Sequence, residues 1–160
     1  MLKGMLAVIT IFALSSSSVF GGESWHEKEF EIKANPSVVS AWLKNNSKAV
    51  VIATGGEVVS QQDNKLRLIQ DTPKGIMDYT VEETIVVEKD EYTYDSKLIE
   101  VHKGLIEQQN TTITVVPSKV GSKVKIKLSA SVADTKPSVI RGNLNRSIKG
   151  FQDMLERKFR

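Results

Sequence analysis

The chain has 160 residues, no cysteine, 26% charged residues and a formal net charge of +3. That length suits one domain around a single core, and without cysteine the fold has neither disulfides nor a thiol nucleophile. The small, evenly spread charge gives no basic face for nucleic acid, so nucleic-acid binding is not expected.

The chain opens Met1-Leu2-Lys3 and continues with the uncharged apolar run Met5 to Leu14, then SSSSVFGG before the first acid at Glu23. A positive start, an apolar stretch of ten residues and small residues after it form the pattern of a secretory signal peptide. With Val19 and Gly21 at positions minus three and minus one, cleavage after Gly21 is expected, giving a signal over residues 1–21 and one domain over 22–160. An uncleaved anchor is the alternative, but a spanning helix needs about 20 apolar residues. No membrane span is therefore expected after cleavage. Removing residues 1–21 takes away Lys3 and no acid, so the charge falls from +3 to +2. Export without cysteines suits a periplasmic protein, or a secreted one, and a monomer is expected.

Trp25 to Lys33 alternates Phe30 and Ile32 with charges, which predicts a first strand. Asn35-Pro36-Ser37 supplies a capping side chain and a proline at the first helical turn. A short helix over Val38 to Lys44 follows, with Val38, Val39, Trp42 and Leu43 expected to face inward. Ala49 to Ala53 is apolar and too short to assign.

Three hairpins are then predicted from paired runs and turn residues: Glu57–Gln61 with Leu66–Gln70, Ile76–Val87 with Tyr92–Val101, and Ile106–Val116 with Lys123–Val132. Lys125 and Lys127 alternate with Val124, Ile126 and Leu128, which reads as the solvated face of a half-buried strand rather than a membrane-binding patch. Lys136 to Arg160 closes the chain as a long helix. Its stripe of Val139, Ile140, Leu144, Ile148, Phe151, Leu155 and Phe159 steps by four, four, three, four and four from Ile140 onward.

A sheet of six to seven strands buries one face only if something covers it, and this helix is the only long element available. The expectation is an α+β fold in which a curved antiparallel sheet wraps the C-terminal helix and leaves space between them for a ligand.

The order of elements resembles the helix-grip fold of the START-like, or SRPBCC, superfamily, which includes polyketide cyclase/dehydrase and lipid-transport proteins. The likeness is carried by Tyr92 to Val132, with its "TITVVP" strand, "GSKV" turn and final strand, and by "IKGFQDMLERKF" in the last helix. Where that family's last strand often carries an aromatic residue, "KVKIKLSASV" has only aliphatics. The resemblance implies the fold and leaves several functions open.

No HExxH or CxxC motif and no close acid–histidine cluster occurs, so no metal or other cofactor is expected, and His26 and His102 read as surface or strand-end residues. Glu83 shares a strand face with Met77, Tyr79, Val81 and Ile85. If that face looks inward, burial raises its pKa and equips it as an acid or base; a bulge or a position at the sheet rim would instead turn it to water. Tyr92 and Tyr94 share a face with Ser96, as Gln109 and Thr111 do with Ile113. A cavity walled by such rows suits a hydrophobic or amphipathic small molecule. The candidate ligand-binding residues are Tyr79, Glu83, Tyr94, Leu144, Ile148 and Phe151. Three functions stay open: a non-enzymatic carrier or sensor, a cyclase-like or hydrolytic enzyme using Glu83 with a tyrosine, and a protein-interaction module whose cavity is filled.

Overall fold

The computed structural model describes residues 23–160. The expected signal segment, residues 1–21, lies outside them. The elements in order are β1 (Ser24–Ile32), α1 (Pro36–Asn45), α2 (Ser47–Ala53), β2 (Glu57–Gln62), β3 (Lys65–Thr72), β4 (Gly75–Glu88), β5 (Glu91–Lys103), β6 (Ile106–Ser118), β7 (Gly121–Val132) and α3 (Pro137–Lys158). One seven-stranded sheet has the order β1-β7-β6-β5-β4-β3-β2, and every neighbouring pair is antiparallel. β2 to β7 form the predicted meander, and β1 closes the far edge beside β7.

Local chemistry places each element. Asn35 caps α1, its Oδ1 accepting from the Ser37 amide at 3.0 Å, with Pro36 in the first turn. The unassigned Ala49–Ala53 stretch is the body of α2, which starts directly after α1. Tight two-residue turns join the long strands. At Gly104, with φ +102°, an added Cβ would also stand 3.0 Å from the Ile76 carbonyl oxygen, so glycine fits both the turn and the space. The lysines of β7 do lie on a solvated face: Lys123 and Lys125 stand 3.5 and 3.3 Å from Glu29 and Glu27 of β1.

Cross-strand rows on the concave face set the core. Phe30, Val124, Val115, Tyr92 and Val87 form one row, and Ile126, Ile113, Tyr94 and Ile85 form the next. Val39 and Leu43 of α1 and Ile148, Phe151 and Leu155 of α3 cover these rows, all five fully buried. Phe151 meets Phe30 edge-on at 6.3 Å, and Trp42 meets Phe159 at 6.0 Å. Two inward assignments need correction. Val38 is 53% exposed, because Val39 and Leu43, four apart, already fix the buried stripe of α1. Val139 is 51% exposed, one residue off the line that Ile140 begins. Among the described residues no helix is long and apolar enough to cross a membrane.

Candidate ligand cavity

The helices cover the sheet unequally, and the cavity is the consequence. α1 and the C-terminal half of α3 fill the end of the sheet that carries the β4–β5 and β6–β7 turns. Toward the β3–β4 and β5–β6 turns the cover consists of α2 and the N-terminal half of α3. The two helices hold each other there: Ser147 Oγ donates to the Thr54 carbonyl at 2.8 Å, and Gly150 comes so close that a Cβ would stand 2.5 Å from the Ala53 carbonyl oxygen.

On the sheet side, β4 and β5 slip register between Asp78 and Tyr79 and again between Thr80 and Val81, two bulges that bend this end of the strand pair. The β5–β6 ladder also stops at Lys97–Asn110, short of the turn joining the two strands. Between this bent end and the thin helical cover lies a cavity of about 620 Å³, within the range of ligand pockets.

Its walls are apolar over Val51, Leu68, Val81, Ile106, Leu128 and Ile140. Uncharged polar side chains interrupt them: Tyr79, Tyr94, Ser96, Thr111 and Ser129 are all buried, and Gln109 and Asn110 are half-buried. The charged lining residues, Asp71, Lys74 and Arg146, are all exposed. Lys74, on the β3–β4 turn, donates to the Asp134 carbonyl and lies 3.3 Å from Thr135 Oγ1, joining that turn to the loop before α3.

Glu83 faces inward. The extra residues of both bulges, Ile99 and His102, belong to β5, so β4 alternates unbroken, Tyr79, Val81 and Glu83 share the concave face, and Glu83 is only 5% exposed. Its Oε1 accepts from the Tyr94 hydroxyl at 2.6 Å. Burial pushes the Glu83 carboxyl above its ordinary range, and the Tyr94 hydrogen bond opposes part of that rise. Burial and the Glu83 charge together push the Tyr94 and Tyr92 phenols well up. The neighbouring Ser96 hydroxyl works against the rise at Tyr94. Burial pushes the Tyr79 phenol up to about 12, with the Gln109 side chain opposing part of the rise. Among the described residues the buried Tyr92 hydroxyl has no hydrogen-bond partner.

Of the six candidate binding residues, Tyr79, Tyr94 and Leu144 line the cavity. Glu83, Ile148 and Phe151 are not among the lining residues. Ile148 and Phe151 are fully buried in the core because the second half of α3 lies over the filled end of the sheet. Glu83 reaches the cavity only through Tyr94. Sequence reasoning missed the α2 contribution, Val50, Val51 and Thr54, and the Leu128-Ser129-Ala130 segment of β7. The run of small residues in "LSASV" was the available signal, since small side chains on a concave face leave room. Among the described residues no cluster of acidic or histidine side chains is suited to a metal ion. His102 is exposed, with Nε2 at 2.8 Å from Thr80 Oγ1.

A curved antiparallel sheet gripping a C-terminal helix, with a cavity between them, defines a helix-grip fold. Solved structures agree on the fold. A STAR-related lipid transfer protein from Xanthomonas axonopodis aligns with a TM-score of 0.62 at 15% identity, over 84% of this chain and 85% of that one. The Zhui aromatase/cyclase from Streptomyces sp. R1128 aligns at 0.59 and 12%, over 86% and 96%. A START superfamily protein from Mycobacterium smegmatis aligns at 0.56 and 14%, over 84% and 96%. No family model matches the sequence, and no curated protein does.

Proposed function

We propose that the protein is an exported carrier or sensor of a hydrophobic or amphipathic small molecule held between the sheet and the N-terminal half of α3. The observation that carries this reading is the cavity of about 620 Å³, apolar over most of its wall, with uncharged polar groups buried and charges kept to the exposed part. Such a wall favours desolvation of an apolar body and rewards a few polar atoms on it. The lipid-transfer name of the Xanthomonas neighbour agrees with it. Export rests on the residue 1–21 pattern and is part of the proposal. The open cavity speaks against a domain filled by its own side chains.

The reading is tested by native mass spectrometry of the protein purified from its own compartment, alongside Nile red titration. A bound small molecule, or saturable Nile red binding that Leu144→Trp abolishes by filling the space, is the expected result. A ligand-free protein that also ignores Nile red would overturn the proposal.

One observation favours a second, enzymatic reading: a buried carboxyl of raised pKa bonded to a cavity-wall tyrosine, in a fold shared with an aromatase/cyclase. Glu83→Gln separates the two. A carrier should keep its affinity within about tenfold, whereas general acid–base catalysis would lose about 10²–10⁴-fold.

A further inference from the structure

The buried polar wall is directional. A phenol donates one proton, and Tyr94 gives its proton to Glu83 Oε1 at 2.6 Å. Oε1 accepts in either state of the carboxyl, as a carboxylate oxygen or as the carbonyl of the acid. Ser96 stands in register between Glu83 and Thr111, and both Ser96 and Tyr94 belong to the cavity wall while Glu83 does not. The Tyr94 proton is therefore committed to Glu83, and what Tyr94 offers a ligand is its oxygen lone pairs. A donor on the ligand satisfies them; an ether or carbonyl oxygen placed there meets lone pair against lone pair.

Charge selects in the same sense. Every buried residue of the wall is uncharged, so a buried anion would find no cation there, while Glu83 stands one hydrogen bond behind Tyr94. The cations of the lining, Lys74 and Arg146, are exposed, where solvent screens them.

Resting on the carrier reading above, we propose that the ligand is an uncharged, hydroxyl-bearing apolar molecule whose O–H donates to the Tyr94 hydroxyl that Glu83 orients, beside Ser96, and that the site rejects carboxylates of the same shape.

Displacement of Nile red at pH 7 by decan-1-ol, decyl methyl ether and decanoate tests this, because the three share a chain and differ in the head. Decan-1-ol should compete at least about tenfold better than either of the others, the worth of one buried hydrogen bond against an unmet one. Ser96→Ala and Tyr94→Phe should shrink the alcohol-to-ether gap to within about threefold, each competition being read against that variant's own Nile red titration. Ser96→Ala keeps the Tyr94–Glu83 bond and serves if Tyr94→Phe unfolds.

Equal competition by alcohol and ether, stronger competition by decanoate, or a gap that survives in both variants would overturn the proposal while leaving the carrier reading intact. A protein that carries no ligand from its own compartment and binds no Nile red would remove both.

Discussion

Glu83 and its two tyrosines are where single groups decide measurable behaviour. Burial raises the folded-state pKa of Glu83 above its ordinary 4.5, so the folded protein holds that proton more tightly than the unfolded chain does. The stability this contributes is fully present below about 4.5 and is lost as pH rises through the folded pKa. Glu83→Gln keeps an acceptor for Tyr94 and removes the titration. Its melting temperature relative to wild type should therefore be most favourable at neutral pH and shrink toward pH 4.5; parallel melting curves across that window would rule out the linkage. Tyr92 offers a contrast. Its buried hydroxyl has no partner among the described residues, so Tyr92→Phe should leave stability unchanged or raise it by about 1 kcal/mol, as read by urea unfolding.

At the level of elements, α3 does two jobs along one stripe. Its C-terminal half is core: Phe151 is fully buried against Phe30, and Phe151→Ala should cost about 3–5 kcal/mol in denaturant unfolding. Its N-terminal half roofs the cavity, where Leu144 is only half-buried. Leu144→Ala should therefore cost under about half as much and change Nile red affinity more than stability. Equal destabilisation by the two substitutions would mean that the roof is as closely packed as the core. β5 is divided in the same way: the extra residues of its two bulges, His102 and Ile99, lie at the cavity end, while the stretch from Leu98 back to Glu91 pairs regularly with β4.

For the whole molecule, the proposed export and the described domain fit together as a cysteine-free fold held by one continuous core and its satellite around Leu66, Leu68 and Tyr79. N-terminal sequencing of protein recovered from outside the cytoplasm should begin near Gly22, and a start at Met1 would refute cleavage. The seven-stranded sheet has two edges, one being β2, whose residues are largely exposed and whose pairing with β3 slips between Val58 and Ser60. That irregularity breaks the flat edge other chains would otherwise extend.

Periodicity and turn chemistry belong to neighbours in the chain, which is why the strand alternation, the hairpins, the Asn35 cap and the stripe from Ile140 to Phe159 are legible in the amino-acid sequence alone. The α+β grip follows from them, because a single sheet with one long helix has one way to bury both apolar faces. Which half of that helix is core and which is roof is not legible there. Leu144, Ile148 and Phe151 are equivalent in a helical repeat, and only the uneven cover given by α1 and α2 separates them. The orientation of Glu83 is open in the sequence for a related reason: alternation allows it inward, but the placement of bulges is a property of the β4–β5 pairing, and that pairing puts their extra residues on β5. Its bond to Tyr94 joins positions on different strands, a contact that exists only once the sheet has curved.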